Sequence, residues 1–208
     1  MRHPGWLAAL FAGSIVLLAG CGGTATTQLS GRACLARLAA QEVTYRPLDS
    51  VSVPGDAPSS SCHVDTAVRV SRVAVGLNRP AVMSCALASR LDDFERDVVQ
   101  PAAKAELGRR VVRIDQMGSF SCRRVNGRSR LSQHALGQAI DIGGFRLSDG
   151  TTVSVERDWN EPGPKRLFLR HLARRACGYF SVVVTPDSNA DHKTHLHLDI
   201  GPDRLCEA

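Results

Sequence analysis

Apolar residues follow three rhythms along this chain, and each rhythm predicts a different element. Residues 6–18 form an almost unbroken apolar run, short for a membrane span but long enough for the core of an export signal. Leu87, Leu91, Phe94 and Val98 recur at steps of four, three and four, the spacing of one helix face. Ser84 stands where that helix needs a cap, Pro101 is placed to kink or end it, and Gly108 closes the region. Alternation of Ala67, Val68, Val70, Val73 and Val75 with polar residues predicts a strand, or two joined strands, over 66–75.

The remaining elements follow from punctuation. A short helix is predicted over 32–42 and a Pro-, Ser- and Gly-rich loop over 48–61. Val111, Val112 and Ile114 predict a strand leading into Gly118-Ser-Phe-Ser-Cys-Arg123. Asp149-Gly150 is a turn signal between short strands at 145–147 and 151–155. Pro164 opens a helix reaching about Cys177, with Gly178 as its stop, and the last strands are expected at 180–184 and 195–200. Strands interrupted by two main helices predict a single α+β domain, a central antiparallel sheet flanked by helices.

Composition adds a compartment. The apolar run ends in Leu18-Ala19-Gly20-Cys21, a pattern resembling the lipobox of bacterial lipoproteins; an ordinary signal peptide with a chance cysteine is the alternative. The expected organisation is a signal over 1–20, lipidated Cys21 with a polar tether over 21–31, and one disulfide-stabilised domain over 32–208. Setting Cys21 aside leaves Cys34, Cys62, Cys85, Cys122, Cys177 and Cys206, an even number that suits disulfides in an exported chain. Six cysteines allow fifteen pairings, so none is assigned. The net charge of +6 comes from scattered basic residues without interleaved aromatics, which argues against a nucleic-acid partner.

The candidate chemistry lies in two segments about fifty residues apart. One reads Ser132-Gln-His134-Ala-Leu-Gly137-Gln-Ala139-Ile-Asp141 and the other His192-Lys-Thr-His195-Leu-His197-Leu-Asp199. On strands, Asp141 lies opposite in facing to Ile140 and Ile142, while His195, His197 and Asp199 oppose Leu196, Leu198 and Ile200. Two adjacent strands would bring Asp141 and His197 together, with His134 reaching in from the preceding loop. Zinc is the first choice for such a set, because nitrogen and carboxylate ligands with an open position suit it. Asp199 is expected either to orient a histidine or to face solvent. His63 and His171 read as ordinary residues.

Ser-x-His-x-x-Gly-x-Ala-x-Asp followed by a distal His-x-His resembles the superfamily named for lysostaphin, D-Ala-D-Ala metallopeptidases and hedgehog. Within it, the layout from Cys34 to Cys206, Gly118–Arg123 included, is similar to the bacterial extensin-like C-terminal domain family. His192-x-x-His195-x-His197 further resembles the penicillin-insensitive murein endopeptidases.

The resemblance implies zinc on His134, Asp141 and His197, with His195 as general base or transition-state stabiliser and His192 as an additional active-site histidine. Thr194 stands where the carboxypeptidase branch has a glutamate, which moves the base to His195. Arg123 matches an arginine that polarises substrate; a structural ion pair or plain surface is the alternative reading.

The implied activity is a zinc D,D-peptidase cutting peptidoglycan peptide stems. Endopeptidase action is slightly favoured over D,D-carboxypeptidase, and a non-catalytic zinc-containing peptidoglycan-binding module is the rival class. The expected place is the bacterial envelope, lipid-anchored through Cys21. Gly22 rather than Asp after it favours the periplasmic face of an outer membrane in a Gram-negative source. Ser-Pro-rich repeats of a plant extensin are absent from the sequence.

Overall fold

The computed structural model describes residues 31–49, 62–126 and 128–208, together with Met1. The expected signal, lipidated Cys21 and most of the 48–61 loop lie outside the described residues. No described helix is long and apolar enough to cross a membrane.

Gly31, expected at the end of the tether, is the first residue of helix α1 (Gly31–Ala40), which buries Cys34 and Leu38. Strands β1 (Thr44–Pro47), β2 (Ala67–Arg72) and β3 (Gly76–Ser84) follow. Ser84 caps α2 (Cys85–Phe94) as its spacing predicts, its Oγ accepting the Leu87 N–H at 3.2 Å. Leu87, Leu91, Phe94 and Val98 are all buried on one face.

Pro101 neither ends nor interrupts this helical segment. A wide π-turn over Glu95–Val99 carries α2 into α3 (Gln100–Leu107), the Gln100 N–H reaching back to the Glu95 carbonyl. Proline cannot donate to the carbonyl four residues earlier and its ring crowds that carbonyl; widening the preceding turn absorbs both defects. Gly108, at φ +63°, then closes the helix in the left-handed conformation.

The chain continues through β4 (Val111–Gly118), β5 (Ala139–Leu147), β6 (Thr152–Ser154), the one-turn α4 (Val155–Asp158) and α5 (Pro164–Ala176). It closes with β7 (Val182–Val184), β8 (Leu196–Asp199) and β9 (Leu205–Cys206). The nine strands among the described residues form one sheet in the order β1-β2-β3-β4-β5-β8-β7-β9, with β6 sharing an edge of β5 with β8.

The α+β class holds, and most pairs are antiparallel. Two are parallel, β3 with β4 and β7 with β9. Between β3 and β4 the whole helical segment 85–107 crosses over, long enough to return the chain in the same direction. The helices cover one sheet face, where Phe94 meets Phe180 and Phe145 meets Phe168 edge-on at 5.3 Å.

The six cysteines pair as Cys34–Cys85, Cys62–Cys122 and Cys177–Cys206. The first ties α1 to the start of α2. The second anchors the segment that overhangs the site.

Candidate metal centre

Asp141 and His197 face one another directly in the antiparallel register of β5 and β8. Their neighbours Ile140, Ile142, Leu196 and Leu198 point into the core and are buried. The two polar side chains stand on the opposite face of the sheet, as the period-two pattern requires.

His134 arrives from a one-turn 3₁₀ helix, Gln133–Leu136, whose first N–H groups are capped by Ser132. Gly137 ends that turn at φ +61°. A Cβ there would lie 2.6 Å from Val64 Cγ1 and 3.1 Å from the Ser84 nitrogen, whose N–H donates to the Gly137 carbonyl at 2.8 Å. The small residues of the motif thus admit the β3–α2 junction and hold His134 against the sheet.

His134 Nδ1–H donates to the Ser119 carbonyl at 2.5 Å, and His197 Nε2–H donates to Asp199 Oδ2 at 3.3 Å. With their outer nitrogens committed as donors, both rings turn a lone pair inward: His134 Nε2 and His197 Nδ1 lie 3.2 Å apart. Asp141 closes the triangle, Oδ1 at 3.0 Å from His197 Nδ1 and Oδ2 at 3.3 Å from His134 Nε2. Three acceptors within 4.8 Å of one another need a shared positive charge, so these residues could hold a metal ion. Asp199 is buried and also accepts the Gly201 N–H, so it orients His197 and does not face solvent.

A proton can supply that charge instead. Burial alone pushes the His197 imidazole down, but its bonds to Asp141 and Asp199 outweigh this and hold it at about 9. Burial would likewise raise Asp141, yet its interactions with the adjoining His134 and His197 rings hold it well below the usual carboxylate range.

A metal entering the cluster must therefore expel a proton. Below pH 9 binding is expected to release about one proton per ion, read as a dependence of calorimetric heat on buffer ionisation enthalpy. Because His197 is raised in the folded state, its contribution to metal-free stability is full below its ordinary value. That contribution fades as pH rises through about 9.

Around the cluster lies a cleft of about 850 Å³ lined by Arg123, His192, His195 and His197 among others. His195 Nε2 is 3.6 Å from Asp141 Oδ1, and the His195 and His192 ring centres are 5.1 Å apart. Burial lowers both histidines, aided at each by repulsion from the His197 charge, so both favour the neutral form near neutral pH.

Arg123 belongs to a hairpin-like segment running from Ser121 to Ser132, held by Ser132 N–H to the Arg123 carbonyl and by the Cys62–Cys122 disulfide. No carboxylate pairs with Arg123 among the described residues, so the ion-pair alternative finds no partner there. His63 pairs with Asp65 and His171 with Glu106, both away from the cleft.

Two supports escape the sequence reading. Ser119 acts through its carbonyl, which no residue pattern records. Asn189 Oδ1 accepts both the Asp191 N–H at 3.0 Å and His192 Nδ1–H at 2.7 Å, leaving His192 Nε2 as the acceptor nitrogen. The loop carrying them is pinned by Trp159 Nε1–H donating to Asp187 at 3.0 Å and by Arg170, which pairs with Asp187 and lies 4.0 Å over the Trp159 ring.

Fold and site together define a single disulfide-bonded α+β domain with a His-Asp-His cluster in an open cleft that could hold a metal ion. The chain belongs to the family described as extensin-like protein C-terminus, whose profile matches residues 32–207. No curated protein and no solved structure matches it.

Proposed function

We propose that the protein is a zinc-dependent D,D-peptidase hydrolysing amide bonds of peptidoglycan peptide stems, endopeptidase action being slightly favoured through His192. The observation that carries this reading is the convergence of three acceptors with orienting partners on both histidines, beside two further neutral histidines in one cleft. The motif resemblance to lysostaphin-type and D-Ala-D-Ala metallopeptidases supports the same reading. So does an amino terminus resembling a lipoprotein signal, which would anchor the domain in the envelope through Cys21.

His134, Asp141 and His197 would hold the ion, which when bound supplies Lewis acidity towards a carbonyl and acidifies water. His195, kept neutral by burial, accepts a proton from the attacking water and can return it to the leaving amine. Arg123 offers charge-assisted N–H donors to the substrate carbonyl as negative charge develops there. Ser132 is engaged as a helix cap and all six domain cysteines are in disulfides, so neither Ser132 nor these cysteines compete as nucleophile.

Asn189→Ala frees the His192 ring to adopt either tautomer. Hydrolysis is expected to fall about tenfold or more with zinc content unchanged, measured by kinetics beside metal analysis.

Digestion of purified crosslinked muropeptides by the zinc-loaded protein tests the proposal. Cleaved crosslinks are expected; shortened stems with intact crosslinks would favour the carboxypeptidase form. Binding without cleavage would favour the non-catalytic module.

A further inference from the structure

The cleft carries more positive charge than its own carboxylates neutralise. Four guanidinium groups line it, those of Arg123, Arg128, Arg130 and Arg204. Of the four lining carboxylates, Asp141 and Asp199 are taken up by the histidines, and Asp203 by Arg130. Asp191 accepts only a neutral donor among the described side chains, the Asn126 amide at 3.3 Å. Three arginines without a carboxylate partner among the described residues therefore face one unneutralised aspartate, an excess before any metal is counted.

Their placement is organised. Arg128 lies at the tip of the hairpin-like segment, where its N–H donates to the Val125 carbonyl at 2.9 Å. Arg204 lines the same cleft from the stretch that leads into β9. The Arg130–Asp203 ion pair joins these two stretches, and Arg128 and Arg204 each sit within two residues of it. Arg123 lies deeper, close enough for its charge to act on His195. Arginine suits this place because its planar fork can bind both oxygens of a carboxylate.

We propose that Arg128 and Arg204 form a carboxylate-recognising rim that selects peptides bearing free carboxylates over the same peptides with those groups amidated. The inference rests on the peptidase reading for its choice of peptide, and deepens it by naming the chemical group recognised.

The test measures binding and turnover separately. The probes are a crosslinked muropeptide dimer with free carboxylates and its amidated counterpart, titrated into the zinc-loaded full chain carrying His195→Ala. The free-carboxylate dimer is expected to bind about tenfold tighter at low salt, with the preference shrinking as ionic strength rises. Adding Arg128→Gln and Arg204→Gln together is expected to erase that preference while circular dichroism stays unchanged, and Arg→Lys at both to restore part of it.

Equal affinity for the two dimers, no binding of either, or a preference that survives the double substitution overturns the rim. Charge-selective binding with no hydrolysis by the wild-type chain leaves the rim standing and removes the peptidase reading. Hydrolysis of both dimers at equal kcat/KM keeps the peptidase and overturns the rim alone.

Discussion

Asp141→Ala is expected to weaken zinc binding more than a hundredfold, about 3 kcal/mol, and to remove measurable hydrolysis at micromolar zinc. The carboxylate is one of three converging acceptors, and it sits on the central strand β5 directly across from His197. On the proposed reading its loss deletes a ligand and also the charge that offsets the cost of burying a cation. His134→Ala and His197→Ala are expected to behave alike. Zinc affinity by competition with a chromophoric chelator, read beside a hydrolysis assay, checks all three. Asp199→Asn offers a graded contrast: His197 keeps an acceptor for its Nε2–H but loses the charge, so affinity should fall by about tenfold.

His195→Ala is expected to do the reverse, leaving one zinc per chain and lowering kcat by about 10²–10⁴-fold. His195 stands beside the cluster, 3.6 Å from the Asp141 carboxylate, and is not among the three convergent groups. Its burial keeps the imidazole uncharged near pH 7, the form that accepts a proton. Metal analysis with steady-state kinetics separates this variant from the ligand variants. Loss of zinc together with activity would reassign His195 to the metal.

The parts of this arrangement that obey a period were legible in the sequence. Alternation placed Asp141 and His197 on one face against Ile140, Ile142, Leu196 and Leu198, and the register of β5 with β8 then made them direct neighbours. The helix after Ser84 followed from a cap and four apolar residues at helical steps.

What escaped reading has no period. β3 carries Asn78, Arg79 and Pro80 in its exposed middle, a polar run without apolar alternation; its position beside β4 depends on the helical crossover. Pro101 looks like a helix end because a π-turn is a relaxation of the backbone and not a residue type. The orientation of His134 rests on a main-chain carbonyl. Asp199 could be placed only once Gly201 was known to fold back onto it. Disulfide pairing likewise needed the sheet order, since Cys62 and Cys122 meet only where the hairpin-like segment overhangs the site.

The most direct measurement is a zinc titration of the metal-stripped chain while amine release from a crosslinked muropeptide is followed. Hydrolysis should rise linearly from zero, level off at about one zinc per chain, and be missing throughout the titration of Asp141→Ala. Hydrolysis that proceeds without metal, or none at any zinc loading of the wild-type chain, would contradict a zinc peptidase built on His134, Asp141 and His197.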